Sequence, residues 1–308
     1  MIMSTWRFWF VLGLCFFFGL GTFPTRMVIG AQIAPAPLAN SRPSLEPTLD
    51  NPDHRGNVSL DRDGHLSSGW WPQFRGPHGM GVADGCRDLP IRMGESENVV
   101  WHVSVPGTGW SSPVVDDELI WMTTAVRESQ HKGTDDESAS EDQASREGGL
   151  DLVLLAFERK SGQQRHFIKL FHLPQPELIH SLNSYASPTP CLDQDHVYCH
   201  FGTYGTVAVR RVDGVIAWVN REIQLQHSTG PGSSPIQFQD LLIFHADGMD
   251  SQAIVALDCR TGSTRWRTER SGAMSESPDQ KKAFSTPLVV SLANQTLLLS
   301  PAANWLYV

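Results

Sequence analysis

The chain has 308 residues, of which 40% are hydrophobic and 19% are charged, and its formal net charge is −9. This composition is too apolar for a disordered chain and too polar for a protein with several membrane spans. The acidic balance supplies no basic stripe for nucleic acid, so we expect no nucleic-acid partner. Five cysteines are too few for a disulfide-based scaffold.

Residues 1–31 are predicted to be an export signal. Arg7 precedes the apolar run Phe8–Leu20, which has the length of a signal core and is shorter than the roughly 20 residues that span a bilayer. We expect cleavage after Ala31. An uncleaved anchor is the alternative, because Ile29 is larger than the residue that a cleavage site prefers at this position. The protein is therefore expected in the periplasm or outside the cell.

Residues 32–69 contain scattered prolines without hydrophobic periodicity, which is typical of a flexible linker. Asp61–Gly64 resembles the start of a calcium loop, but Trp70 stands where the loop needs a bidentate Glu. We therefore predict no metal site here. Residues 70–100 are predicted to be an N-terminal segment of the folded part, and 101–308 its repeating part.

Two markers recur along the chain with a period of about 50 residues. The first is a Ser/Thr-Pro pair, which gives the positions Pro113, Pro188, Pro235 and Pro287. The second is a short apolar run ending in a glycine that an aromatic side chain follows four residues later, which gives Gly162 with His166, Gly214 with Trp218, and Gly262 with Trp266. The first repeat is longer because residues 127–149 form an acidic insertion, which we interpret as a solvated loop.

Each repeat divides into four short strands. In the second repeat they are predicted at 189–192, 196–201, 206–211 and 215–219, because Val, Ile, Tyr and Trp dominate these stretches and Gly and Asp separate them. Four strands in about 50 residues are typical of a β-propeller blade. We therefore predict an all-β propeller with about four four-stranded blades, in which the recurring aromatic residue packs between neighbouring blades.

Specific segments connect this chain to a known family. Ala256–Trp266 matches the motif A-x-D-x-x-T-G-x-x-x-W at every defined position, and Gly214 with Trp218 matches half of it. Further similar segments are 71–77, 180–188, 200–205 and 230–235. From about residue 70 onward the chain resembles the pyrroloquinoline-quinone-type (PQQ-like) β-propeller repeat family, in particular its secreted planctomycete-type members. The resemblance implies a larger propeller, often of eight blades, so we expect a truncated or split sequence, or a second chain that completes the propeller.

The resemblance also raises the question of a cofactor. Quinoprotein dehydrogenases of this superfamily typically carry adjacent cysteines beside PQQ, together with a calcium-binding set. Here the cysteines beyond the signal are Cys86, Cys191, Cys199 and Cys259, none adjacent to another. We therefore expect neither PQQ nor calcium, and predict a binding or scaffolding module without catalysis. The alternatives are a PQQ-dependent quinoprotein dehydrogenase, the extracellular propeller of a kinase-related protein, and a non-functional fragment of a split gene.

Polar side chains recur near the starts of the predicted inner strands and in the turns, among them His180, His200, His227 and His245. His200 follows Pro188 by the same 12 residues by which Asp247 follows Pro235, which predicts that both lie at one end of adjacent blades. The predicted ligand-binding residues are His180, Asn183, Tyr185, His200, Thr203, Tyr204, His245, Asp247 and Asp250. They favour an unidentified protein or a polar small molecule; the alternative is that they hydrogen-bond to turn backbone. No catalytic residue is predicted.

Cys191 and Cys199 flank one predicted hairpin. A disulfide between them requires the two residues to be directly opposite, and a shift of one residue in register would separate them. The sequence leaves this pairing open.

Overall fold

The computed structural model describes the backbone of residues 26–27 and, with their side chains, residues 69–83, 89–94, 97–127 and 148–308. The rest of the predicted export signal, the predicted linker up to residue 68, Cys86 and most of the acidic insertion lie outside the described residues. Within the described part, no helix has the length and apolar character needed to cross a membrane.

The described residues form four sheets of four strands each. Blade 1 consists of β2 (Val114–Val115), β3 (Leu119–Arg127), β4 (Leu150–Glu158) and β5 (Gln164–Leu173). Blade 2 consists of β6 (Cys191–Leu192), β7 (His196–His200), β8 (Thr206–Arg210) and β9 (Ile216–Asn220). Blade 3 consists of β10 (Ile236–Phe238), β11 (Leu241–Asp247), β12 (Gln252–Asp258) and β13 (Thr264–Glu269). Blade 4 contains β14 (Leu288–Leu292), β15 (Gln295–Ala302) and β16 (Trp305–Tyr307), joined by β1 (Arg26–Met27).

Within blades 1 to 3, strands that follow one another in sequence pair with one another antiparallel. The prediction of an all-β propeller with about four four-stranded blades is thereby confirmed. Three short 3₁₀ helices interrupt the loops of the described part: η1 (Pro77–Gly79), η2 (Gly202–Tyr204) and η3 (Pro278–Lys281). The second of these occupies the turn predicted between β7 and β8.

Blade 4 differs from the other three in its outermost strand. Its strands β14, β15 and β16 pair antiparallel, but β1 joins β16 in parallel, with Arg26 beside Trp305 and Met27 beside Leu306. The two residues of β1 belong to the predicted export signal, so cleavage after Ala31 would leave this edge of β16 without that strand.

The glycine and aromatic markers form contacts between blades at one end of the strands. Gly262 in blade 3 has φ 73°, and a Cβ there would collide with the ring of Trp218 in blade 2. The Trp218 indole also donates a hydrogen bond of 2.8 Å to the carbonyl of Cys259. His166 packs on Gly214 in the same way. The prediction that the recurring aromatic residue packs between blades is confirmed for these pairs.

The apolar core is divided into layers between the blades. One layer joins the facing sides of blades 1 and 2, and another joins those of blades 2 and 3. Because side chains of a strand alternate between its two faces, Val197 and Cys199 of β7 enter the first layer while Tyr198 enters the second.

This alternation settles the open question about the hairpin cysteines. Cys191 lies opposite Tyr198 and not opposite Cys199. Cys191 therefore belongs to the layer between blades 2 and 3, whereas Cys199 belongs to the layer between blades 1 and 2. Both thiols are free and buried, and a disulfide between them is excluded by the one-residue offset in register.

Candidate functional site

The two ends of the blades differ in the segments that reach them. We call the end with the glycine turns, at Gly162, Gly214 and Gly262, the turn end. The opposite end, where the chain enters the innermost strands after Pro113, Pro188, Pro235 and Pro287, is the entry end. Because neighbouring strands run in opposite directions, β7 and β11 finish at the entry end with His200 and Asp247 as their last residues.

A small cavity lies at the entry end, among blades 2 and 3 and the segment that leads into blade 4. Its lining residues are His200, Gly202, His227, Pro231, Gly232, Ser233, His245, Asp247, Ala283 and Phe284. The structure thus brings three of the nine predicted ligand-binding residues, His200, His245 and Asp247, to one cavity. The cavity has about 10 Å³ of room for the centre of a water-sized sphere, which suits one water molecule or one hydroxyl group.

His200 is 3% exposed and is held by neighbours from its own blade and the next. Its Nδ1 lies 2.9 Å from the Thr206 hydroxyl, and its ring stacks on that of Phe244 with the centroids 4.0 Å apart. Burial lowers the pKa of His200 to about 3, so the imidazole is neutral at physiological pH.

His245 joins blade 3 to blade 4. Its Nε2 lies 2.9 Å from the Ser300 hydroxyl and its Nδ1 lies 3.3 Å from that of Ser285. Burial, with help from the nearby Arg270 charge, lowers the pKa of His245 to about 3. This imidazole is also neutral, and both of its nitrogens have hydroxyl partners.

Asp247 forms a buried ion pair with a residue that the sequence did not indicate. The Arg270 guanidinium donates to both carboxylate oxygens of Asp247, at 3.1 and 3.0 Å, and to the Ser300 hydroxyl at 2.6 Å. The two charged side chains are only 1% and 2% exposed. Burial raises the pKa of Asp247, and the ion pair opposes that rise. Arg270 directly follows the charged outer strand β13, so nothing in its sequence surroundings distinguished it from exposed arginines.

Among the polar side chains that line the cavity, His227 is the one without a hydrogen-bond partner in the described part of the chain. It lies in the connection between β9 and β10, and both of its ring nitrogens are buried and unpaired among the described residues. Burial, together with the nearby Lys282 charge, lowers the pKa of His227 to about 4. The neutral ring offers one donor and one acceptor to the cavity. The sequence analysis grouped His227 with His180, His200 and His245 but did not include it among the predicted ligand-binding residues.

Asn183 lies beside the cavity and positions its wall. The side-chain amide of Asn183 donates to the carbonyls of Thr229 and Pro231, at 2.6 and 3.1 Å, and these residues belong to the loop that contributes Pro231 and Gly232 to the lining. Tyr185 and Tyr204 lie outside this set of lining residues and contact each other, with ring centroids 6.1 Å apart. Burial raises the pKa of both phenols.

The remaining predicted residues bond to backbone in loops. The Thr203 hydroxyl accepts from the N–H of Leu225 at 3.2 Å, and Asp250 accepts from the N–H of Gln226 at 2.9 Å. His180 is exposed and accepts from the N–H of Leu182. These three residues are not among the lining residues of the cavity.

An aromatic side chain recurs at one position of the entry end. Trp110, Tyr185 and Phe284 each stand three residues before the proline that begins the inner strand. The third repeat has Gly232 at this position, and a Cβ there would collide with the Phe284 ring. Trp110 and Phe284 are 60% and 46% exposed. An alignment of the four repeats on the proline reveals this position from the sequence alone.

The described residues do not fit a bound PQQ at this cavity. A three-ring quinone needs a site of several hundred Å³, whereas this cavity admits one water-sized group. The cysteines described here are not adjacent, and the described residues contain no group of three or more His, Cys, Asp or Glu side chains placed to hold a metal ion.

The fold and the repeated turn contacts define a β-propeller. A comparison with protein families indicates which type of propeller repeat the chain resembles. Residues 153–300 match the family model described as outer membrane protein assembly factor BamB. This match confirms the resemblance to the PQQ-like repeat family that the motif at Ala256–Trp266 indicated. No curated protein matches the chain.

Solved structures similar to this chain are also propeller proteins, at low identity. Quinohemoprotein alcohol dehydrogenase from Comamonas testosteroni is 14% identical with a TM-score of 0.34, and the match covers 53% of this chain and 21% of that chain. BamB from Moraxella catarrhalis is 17% identical with a TM-score of 0.32, covering 50% of this chain and 39% of that chain. A europium-containing methanol dehydrogenase is 10% identical with a TM-score of 0.33, covering 52% and 24%. The chain thus aligns with less than half the length of each of these proteins.

Proposed function

We propose that this protein is an exported β-propeller module that binds a ligand or partner at its entry end and does not act as an enzyme. The observation that carries the proposal is the exposure of the aromatic side chain at this repeat position in two of the four repeats. Trp110 and Phe284 present large rings to solvent at the same end of the blades as the cavity. Large exposed apolar side chains that cluster on one surface are typical of interaction sites.

The family match supports a binding role rather than a particular ligand. The matched family model is described by the name of an assembly factor for outer membrane proteins, which is a role exerted by contact with other proteins. Arg7 and the apolar run Phe8–Leu20 support the exported location in this proposal. The proposal places the protein in the periplasm or outside the cell, either free or held by an uncleaved signal.

Site-specific photo-crosslinking tests where partners bind. A photoreactive phenylalanine derivative replaces Trp110 in one variant and Phe284 in another, and Val212 in the control. Val212 is 87% exposed but lies in a turn at the opposite end of blade 2. We expect one discrete adduct from the two entry-end positions in intact cells and none from Val212. Adducts formed equally at Val212 would contradict an entry-end site.

Two further measurements test the other parts of the proposal. The mass of the mature protein reports whether the chain begins after Ala31. Addition of PQQ and calcium to the purified protein, with an artificial electron acceptor and a panel of alcohols and sugars, tests for a quinoprotein dehydrogenase. We expect no dye reduction above the protein-free blank, and substrate-dependent reduction would overturn the non-catalytic part of the proposal.

A further inference from the structure

We infer that the cavity at the entry end receives one hydroxyl group of an uncharged, hydroxylated ring, as in a sugar residue, whose ring lies against Phe284. This inference rests on the proposed binding function and names the chemical class of its ligand. It is carried by the pairing of the cavity's polar atoms, its size and the exposure of its lining.

The hydrogen-bonding capacity left open in the cavity is that of a neutral imidazole. His200 and His245 use ring nitrogens on the hydroxyls of their neighbours, whereas both nitrogens of His227 are buried without a partner. Gly202 faces His227, and a Cβ at that glycine would lie 2.7 Å from Nε2. A hydroxyl group can accept from one ring nitrogen or donate to the other, and this matches a neutral histidine. Leaving such a buried group unpaired is unfavourable, so an occupant that pairs with it is stabilised.

The charged groups around the cavity are already paired. Asp247 has its ion pair with Arg270, and the Lys282 ammonium donates to Asp279 at 3.0 Å and to the hydroxyls of Ser228 and Thr229. A charged ligand group would therefore be buried without an opposite charge to compensate it, which is strongly unfavourable. The geometry favours an uncharged group.

The size and exposure of the cavity determine how such a ligand can lie. There is room for one water-sized group only. Phe284 is the one exposed residue of the lining, with 46% of its surface open to solvent. A ligand that inserts one hydroxyl must therefore leave its ring outside, where the Phe284 ring offers a flat apolar surface for the C–H face of a sugar.

Saturation-transfer NMR on the full-length protein tests the inference. The neutral probes are methyl β-D-glucopyranoside, methyl β-D-galactopyranoside and cellobiose. We expect transfer to the ring protons of at least one of them. The affinities for the monosaccharides and for cellobiose are compared, because tighter binding of cellobiose would indicate a longer glycan chain, and not a free sugar, as the source of the ring.

Two variants and one matched control assign the binding to the cavity. His227→Leu removes both ring nitrogens and should weaken binding about tenfold or more, since it deletes the polar partner of the hydroxyl. Phe284→Ala removes the exposed ring and should weaken binding about three- to tenfold. His102→Leu changes an exposed histidine outside the cavity and should leave the affinity unchanged. Should His227→Leu fail to fold, the imidazole nitrogen resonances of His227 in the unchanged protein report the same contact, since they must shift when the sugar is added.

The inference is overturned if no neutral probe binds, or if His227→Leu and Phe284→Ala bind as tightly as the unchanged protein. It is also overturned if the resonances of the His227 nitrogens do not shift when the sugar is added, because a water molecule would then be the occupant of the cavity. Crosslinked adducts at Trp110 without sugar binding would contradict this inference but would still support the proposed binding function. Sugar binding without any crosslinked adduct would support a ligand site at the entry end. It would contradict a macromolecular partner that carries no glycan.

Discussion

The turn end and the entry end of the blades are built on different principles. At the turn end one contact recurs: Trp101 packs on Gly162, His166 on Gly214, and Trp218 on Gly262. At the entry end each junction is different. The chain of Asp247, Arg270, Ser300 and His245 joins blades 3 and 4, and among the described residues no equivalent set joins blades 1 and 2.

The two ends therefore differ in role: the turn end fixes the spacing between neighbouring blades, and the entry end carries the proposed binding site. The repeated contacts hold neighbouring blades at a fixed distance and leave the opposite end of the same strands free to vary. A change at the entry end therefore alters a local network, whereas a change at a glycine of the turn end alters the packing of two blades.

The largest effect is expected for Asp247→Ala at the entry end. The substitution leaves the 2% exposed Arg270 side chain buried without its carboxylate, and loss of one partner of a buried ion pair lowers the free energy of unfolding by about 3–5 kcal/mol. Asp250→Ala is the matched control, because this exposed carboxylate accepts one backbone hydrogen bond and its loss should cost about 1 kcal/mol or less. Urea unfolding of both variants measures the difference, and equal values would contradict the role given to the buried pair.

The next effect is expected at the turn end, for Gly262→Ala. The new Cβ meets the Trp218 ring and the residue must hold φ 73°, so we expect a loss of about 3 kcal/mol from overpacking and backbone strain together. Gly148→Ala separates the two causes, because Gly148 has φ 103° and a Cβ there would meet no atom of the described residues within 4 Å. Its loss should be about 1–2 kcal/mol, from strain alone. A similar loss for both variants would show that the aromatic contact adds little.

The two ends also differ in how well the sequence predicts them. The turn end was predictable because its role recurs along the chain: a glycine with positive φ that contacts an aromatic ring occurs in three repeats, at Gly162, Gly214 and Gly262. The entry end was predictable only in part. Equal offsets from the prolines placed His200 and Asp247 at one end, but Arg270 and His227 lie at positions that no repeat marker fixes. Their role depends on which side chain of the next blade faces them, and a linear sequence does not contain that information.

The pH dependence of stability should distinguish the ends as well. Burial lowers the pKa of His200 and His245 to about 3, from 6.5 in an unfolded chain. Each therefore binds a proton on unfolding below about pH 6.5, and the free energy of unfolding falls with acid by about 1.4 kcal/mol per pH unit for each histidine. This contribution is fully present above pH 6.5 and is lost progressively as the pH falls toward 3.

At the turn end the corresponding change comes at lower pH. Burial of Asp258 works to raise its pKa, but hydrogen bonds from Thr261 and Arg265 lower it below the ordinary 3.8, so its contribution is present above about pH 4 and is lost only below that pH. Urea unfolding between pH 6 and 4.5 therefore measures mainly the entry end. His245→Gln should remove about 1.4 kcal/mol per pH unit from the slope in this range, and an unchanged slope would show that His245 is not buried as a neutral ring.

The smallest effect is expected at the three buried cysteines of the described residues, Cys191, Cys199 and Cys259. Cys191 and Cys199 face opposite sides of blade 2, and Cys259 shares the layer of Cys191. Burial raises the pKa of each thiol, that of Cys259 to about 12, and the thiolate is the form that reacts. Iodoacetamide at pH 8 should leave all three unmodified in the folded protein and modify all three in urea, as measured on the separated peptides. Rapid labelling of Cys191 in the folded protein would mean that blades 2 and 3 separate readily, and a peptide containing a disulfide between Cys191 and Cys199 would require a register for β6 and β7 different from the pairing of Cys191 with Tyr198.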